Sequence, residues 1–515
     1  MQRRIPVVVA IVLPLTLAVG GCSGPVPETE PKGPRPVVLA EHPVLLESDQ
    51  QDTVVWPIWG GAFVPEETVT LRARVEPGGD GASGLVLAGP GEPESRVTVE
   101  LLATDGAWSV RETDGSTVLQ EHPVDGATTD EVVVEIGTDR VAVAAGGNET
   151  TLGLAGPLAT DGQAAGLYAH LEPGATLNLL ELELSQPLPR HPELGTPLRE
   201  LAQAKGVEIG SALDIWPPLH DMGFESMLGE QFSSATPTEL YWATTRGEDD
   251  DYFFVPADLS MNYATVHDLS VTAMFLVWDF ELPQWVLDVA ATGDTEALGA
   301  VYDDHITTLV SRYRNQADAW VVVNEGIWGP EDTGGTPARL AGTIWQNVLG
   351  DEHIERAFRV AHEADPDAVL MYNETGAETL GDKADFLYSM VSDFVARDVP
   401  IDAVGLQFHI DSADPPDMES ARQNMQRFAD LGLDVYITEL DVMISGQSED
   451  QLELQAEIYA DVVEACLAVP ACKNTTVFGF SDRYSWDELG EAAPLMFTED
   501  YVAKPAFAAV QEALR

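Results

Sequence analysis

The stretch AWVVVNEGIWG, residues 319–329, decides how the rest of this chain is read. Five of the six residues in AWVVVN are apolar, the composition of a strand buried on both faces. The run opens directly onto Asn324 and Glu325, an amide and a carboxylate that an apolar interior disfavours. A second stretch, VYITELDV at 435–442, has the same form and releases Glu439 at its end. Each acid therefore stands where a core strand reaches the surface.

Outward from these two strands, the chain from about residue 195 repeats apolar strand candidates and amphipathic helices. The strand candidates end near Leu213, Leu240, Trp278, Val323, Tyr372, Phe408, Ile437 and Phe480, with helical segments such as HIERAFRVAHEA and ELQAEIYADVVEACLA between them. Such a series of strand–helix units predicts an α/β fold, a (β/α)8 TIM barrel over 195–515, with its site at the C-terminal strand ends. Polar residues gather at those ends: Asp214, Glu239, Asp279, Asn324, Glu325, Asn373, Glu374, Gln407, His409, Glu439, Asp441 and Asp482. A single rim carboxylate is also accounted for by a salt bridge. Two facing each other across a barrel mouth, on strands four and seven, are the equipment of glycoside hydrolysis.

Residues 38–190 read differently. Short alternating runs such as TVTLRARVEP, RVTVELLA, RVAVAAGG and LNLLELELS, divided by Gly, Asp and Pro, predict an all-β jelly-roll or sandwich domain. Its outline resembles concanavalin-like modules, which leaves open a passive spacer or a glycan-binding role. Residues 22–37 are a proline-rich linker. Residues 1–21 read as a lipoprotein signal peptide: Arg3 and Arg4, an apolar run, then Val-Gly-Gly before Cys22, the expected lipidation site. A plain signal peptide that happens to contain Cys is the alternative.

The 515 residues carry 86 Asp+Glu against 26 Lys+Arg, a net charge of −60. That balance excludes nucleic acid and anionic lipid surfaces as partners. The acid is spread along the chain, as on proteins from salty habitats, rather than gathered into a calcium-storing tail. Cys466 and Cys472, six apart, are either a disulfide or two free buried thiols, and an exported chain favours the disulfide.

Over residues 195–515 the chain resembles glycoside hydrolase family 10, the retaining endo-β-1,4-xylanases. WVVVNE is similar to that family's acid/base strand, YITELDV to its nucleophile strand and IDAVGLQFHI to the strand bearing a site Gln and His. TVFGFSDRYSW, CLAVPACKNTTVFG, FLVWDFELPQW and AFRVAHEADPDAVLMYNE follow the family in order. The resemblance implies Glu439 as nucleophile and Glu325 as general acid, then base. It implies support from Asn324, His409, Asp441 and Gln407, and sugar contacts from Glu239, Tyr241, Trp242, Met274, Trp278, Phe478 and Trp486. It implies no metal and no cofactor, a polysaccharide substrate and a monomer. With the N-terminal signal, the enzyme is expected on the bacterial cell surface, membrane-anchored through Cys22.

Departures from the family cluster on the sugar-gripping shell. Two strand-three histidines are Met274 and Asp279, strand two has Thr238 and Tyr241 for an Asn and a Lys, and a wall Trp is Phe478. Weaker cleavage of unsubstituted xylo-oligosaccharides is therefore expected, with His at 274 and Lys at 241 restoring it. Alternatives to a xylanase are a retaining glycosidase on another β-linked or substituted glycan, and a non-catalytic glycan-binding lipoprotein.

Overall fold

Eight parallel strands close on themselves in the computed structural model of the chain. It describes residues 35–38, 44–48, 53–63, 69–89, 97–104, 107–114, 117–124, 131–158, 165–186, 188–247, 250–486 and 492–515. Residues 1–21, Cys22 and most of the linker lie outside these. The barrel strands, one to eight, are Glu208–Leu213, Ser234–Pro237, Ser270–Ala273, Ala319–Asn324, Val369–Glu374, Ala403–Leu406, Asp434–Met443 and Cys472–Val477. Each pairs with its neighbour, strand one pairs with strand eight, and strands six and seven pair, so no edge is left open. All six residues of strand four are buried, as its composition requires.

Helices cover the outside. In His353–Ala364 the buried Ile354, Ala357, Phe358 and Ala361 form one stripe at helical spacing. The helix Thr295–Arg312 starts where Asp294 accepts hydrogen bonds from the N–H groups of Glu296 and Ala297. Cys466 and Cys472 are joined by a disulfide, their Cα atoms 5.3 Å apart, linking the helix Glu449–Leu467 to the first residue of strand eight.

Strands three and seven depart furthest from the expected ends; strand two stops at Pro237 and strand eight at Val477, each three residues early. Strand three leaves its regular ladder at Ala273, not Trp278; beyond it Val277 bridges to Val323, and the Leu276 and Val277 N–H groups donate to Val321 O and Val322 O. Strand seven runs past Ile437 to Met443 because the short strand His409–Asp411 pairs with its extension, matching His409 to Asp441. That pairing carries two site residues into contact.

The described strands between residues 35 and 184 form two antiparallel sheets. One is ordered Arg35–Val38, Ala175–Leu184, Val69–Gly79, Glu131–Ile136, Arg140–Ala145, Asn148–Gly153, with Val44–Glu47 also on Ala175–Leu184. The other is ordered Val54–Phe63, Ala165–Leu171, Ser83–Ala88, Val97–Thr104, Ala107–Asp114, Thr117–Val124. Alternate residues such as Val69, Leu71, Ala73 and Val75 are buried, the period-two pattern of a sandwich face. Trp56 of this sandwich stacks on Trp216 of the barrel, ring centroids 6.1 Å apart, and touches Phe253 at 5.3 Å. The described residues of the sandwich and the barrel thus share a continuous apolar core.

Candidate active site

Glu439 stands inside strand seven, 4% exposed. Its Oε1 accepts a hydrogen bond from Asn373 Nδ2 at 2.7 Å, and its Oε2 lies 3.4 Å from His409 Nε2. Burial raises the pKa of this carboxyl; the His409 hydrogen bond and charge, and then Asn373, pull the other way. His409 Nδ1 donates to Asp441 Oδ2 at 2.9 Å. Burial works against its charge, but the hydrogen bonds and charges of Asp441 and Glu439 prevail and carry its pKa up to about 10. The imidazolium is thus present at neutral pH, beside the carboxylate it must neutralise. Trp486 Nε1 also donates to Asp441 Oδ2, at 2.6 Å.

Glu325, half-buried, stands one residue beyond strand four with φ 53°. Among the described residues its two oxygens accept from neutral donors, Gln407 Nε2 at 2.9 Å and Trp278 Nε1 at 3.1 Å. The two acids are connected through amides. Gln407 Nε2 also reaches Asn324 Oδ1 at 3.2 Å, and Asn373 Nδ2 donates both to Asn324 Oδ1, at 2.8 Å, and to Glu439. Among the described residues, the buried Asn324 Nδ2 has no hydrogen-bond partner.

Asn373 is the hub of this network; the sequence places it in the ring of strand-end polar residues but assigns it no role. Its signal was present: the doublet Asn373-Glu374 ends an apolar run as Asn324-Glu325 does. What the sequence could not show is that Asn373 leans inward. Gly405 on strand six makes the room, since a Cβ there would lie 2.4 Å from Asn373 Oδ1.

The expected sugar contacts divide. Trp278, Phe478 and Trp486 surround the acids; Phe478 and Trp486 meet the His409 ring edge-on at 5.5 and 5.7 Å, and Trp486 is 49% exposed. Tyr241 stacks on Phe275 at 5.5 Å and stands edge-on to Trp278 at 5.8 Å. Burial, then the charges of Glu439 and Glu239, hold its hydroxyl firmly protonated. Trp242 is buried, its Nε1 donating to Leu276 O and its ring stacked on His305 at 3.6 Å. Met274 has no exposed surface; it packs with Phe275, Ala319, Val321, Met371 and Ala403 beneath Tyr241 and Phe478. Neither Trp242 nor Met274 presents a surface to a sugar. Glu239 is 4% exposed, its oxygens taken by the Ile215 N–H at 2.6 Å and Ser260 Oγ at 2.5 Å. Asp279 Oδ1 accepts from the Ile344 N–H, holding the start of the helix Ile344–Leu349. Among the described residues, no group of three or more His, Cys, Asp or Glu is placed to hold a metal ion.

A parallel barrel with one glutamate just past strand four and another within strand seven, joined through amides and flanked by aromatic walls, defines the class of barrel glycosidases. Residues 197–513 match the family "Glycosyl hydrolase family 10". The chain belongs to that family. It is 35% identical to "Endo-1,4-beta-xylanase B" of Thermotoga neapolitana over 324 residues, which is 61% of this chain and 91% of that protein. It is 35% identical to "Endo-1,4-beta-xylanase A" of Humicola insolens over 289 residues, 55% of this chain and 74% of that one. Among solved structures, xylanase 10B from Thermotoga petrophila RKU-1 in complex with xylobiose is similar with TM-score 0.57 and 37% identity. It covers 62% of this chain and 97% of its own.

Proposed function

We propose that the chain is a retaining endo-1,4-β-xylanase that hydrolyses the β-1,4 links of xylan by double displacement. In the first step a Glu439 oxygen attacks the anomeric carbon while Glu325 protonates the departing glycosidic oxygen. In the second, Glu325 takes a proton from water, and that water displaces Glu439. The observation that carries this reading is the contrast between the two acids. Glu439 has a cation beside it, which favours the ionised nucleophile; among the described residues Glu325 has neutral N–H donors. The substrate is supported by the names of the relatives and by xylobiose in the similar structure.

A second reading, a retaining glycosidase on another β-linked or substituted glycan, draws on Tyr241 and Phe478. These place aromatic surface where the family carries polar or larger groups. A glycan-binding lipoprotein without turnover is the third. The N-terminal residues support export with a lipid on Cys22 and a place on the bacterial surface, and the strand-rich sandwich is read as a concanavalin-like spacer or glycan-binding module. A lipid-bearing Cys22 as the first residue of the mature protein, by mass spectrometry, tests the anchor.

The test of the activity is a glycan panel followed by proton NMR during early turnover. Xylan cleaved internally, with the product keeping its anomeric configuration, is expected; the carboxyl groups of Glu325 and Glu439 should then be about 5–5.5 Å apart. An inverted product refutes double displacement, and turnover confined to another glycan selects the second reading.

A further inference from the structure

A general acid must hold its proton on the line to the leaving oxygen, and Glu325 sits on a turn, outside the regular strand. That turn is nonetheless held amide by amide from strand five. The Glu325 N–H donates to Asn373 O at 3.1 Å, the Gly326 N–H to Tyr372 Oη at 3.0 Å, and the Ile327 N–H to Glu374 Oε2 at 3.1 Å. Tyr372 Oη in turn donates to the same Glu374 Oε2 at 3.0 Å. Both residues are fully buried and touch no solvent.

The other carboxylate oxygen is anchored from behind. Glu374 Oε1 accepts from the Thr375 N–H at 3.2 Å and pairs with Lys383 Nζ at 3.2 Å. Lys383, 4% exposed, also pairs with Asp332, whose Oδ2 accepts from the Gly329 N–H at 2.7 Å. Residues 325, 326, 327 and 329 are therefore tied to one network. The fit is close: a Cβ on Gly326 would lie 2.8 Å from Tyr372 Oη.

We propose that Tyr372 and Glu374 are positioning residues for catalysis, a clamp on strand five that sets the aim of the Glu325 carboxyl. Neither touches substrate; each acts through the backbone of the turn. The inference rests on Glu325 being the general acid. The burial of Glu374 and of the Tyr372 hydroxyl is compensated by the Lys383 pair and the N–H bonds of the turn.

The test compares xylotetraose, whose leaving group needs protonation, with an aryl β-xylobioside whose activated phenol does not. Tyr372→Phe removes one bond to the turn, Gly326→Ala wedges it off the hydroxyl, and Glu374→Leu removes the buried acceptor. Each should lower kcat/KM on xylotetraose by about tenfold to a hundredfold while the aryl substrate changes by less than about threefold. Glu374→Gln, which keeps an acceptor oxygen, should recover much of the loss seen in Glu374→Leu. If Glu374→Leu does not fold, Tyr372→Phe and Gly326→Ala carry the comparison, with Tm measured on each. Equal losses on both substrates, or none, overturn the clamp. Glu325→Ala is measured alongside. If it fails to separate the two substrates, the assignment of Glu325 falls and the clamp with it; if it separates them and the clamp variants do not, the clamp alone is wrong.

Discussion

Glu239 shows how one carboxyl can be held protonated at neutral pH. Loss of water pushes its pKa up to about 8, and the neighbouring Asp214 charge adds to the shift. The folded state then holds a proton that the unfolded chain releases above 4.5. By linkage, this contribution to stability is complete below that value and fades as pH rises through about 8. Glu239→Gln, an uncharged mimic of the protonated form, should change Tm little near about pH 5 and lessen its decline toward about pH 9. Parallel Tm–pH curves for the two proteins would refute the assignment. His409 contributes with the same sign: its folded pKa, up to about 10, means stability lost between its ordinary 6.5 and that value.

Strands four, five and six, with the residues just past strand three, make the floor of the site. Met274 and Val321 pack there with Phe275, Ala319, Met371 and Ala403, so Tyr241 and Phe275 rest on apolar surface. An imidazole at 274 would have to enter this cluster with no sugar in reach. Met274→His should therefore cost about 1–3 kcal/mol in denaturant unfolding, the cost of burying a polar group without a partner. It should bring no gain on xylo-oligosaccharides by itself; a gain with unchanged stability would show that the ring reaches the cleft after all. The expectation that His at 274 and Lys at 241 act together as sugar contacts thus narrows to Tyr241, which has exposed surface.

Across the whole molecule, the net charge of −60 sets a self-repulsion that burial of the core must overcome. Raising salt from about 0.1 M to about 1 M shortens the screening length from about 10 Å to about 3 Å. Tm should rise over that range. A flat or falling Tm would mean that the acidic groups are already spaced or paired well enough to carry no net strain. The sandwich shares in the same balance, because Trp56 against Trp216 and Phe253 makes its packing part of the barrel's own stability.

Much of this could be read from the chain alone, because the relevant physics is local. A strand buried on both faces must be apolar, so Asn324 and Glu325 at the end of strand four, and Glu439 within strand seven, stand out as polar. The same period-two and helical patterns separate a sandwich from a barrel. What the sequence left open depends on groups far apart in the chain. Asn373 joins Asn324 to Glu439 across 49 and 66 residues, and Gly405 matters only because Asn373 presses on it. Met274 has the same composition whether it lines a cleft or lies beneath one; only packing against Val321 and Met371 decides. Backbone hydrogen bonds from a turn to a buried side chain leave no periodic trace, so the hold of Tyr372 and Glu374 on Glu325 exists only once strands four and five lie side by side.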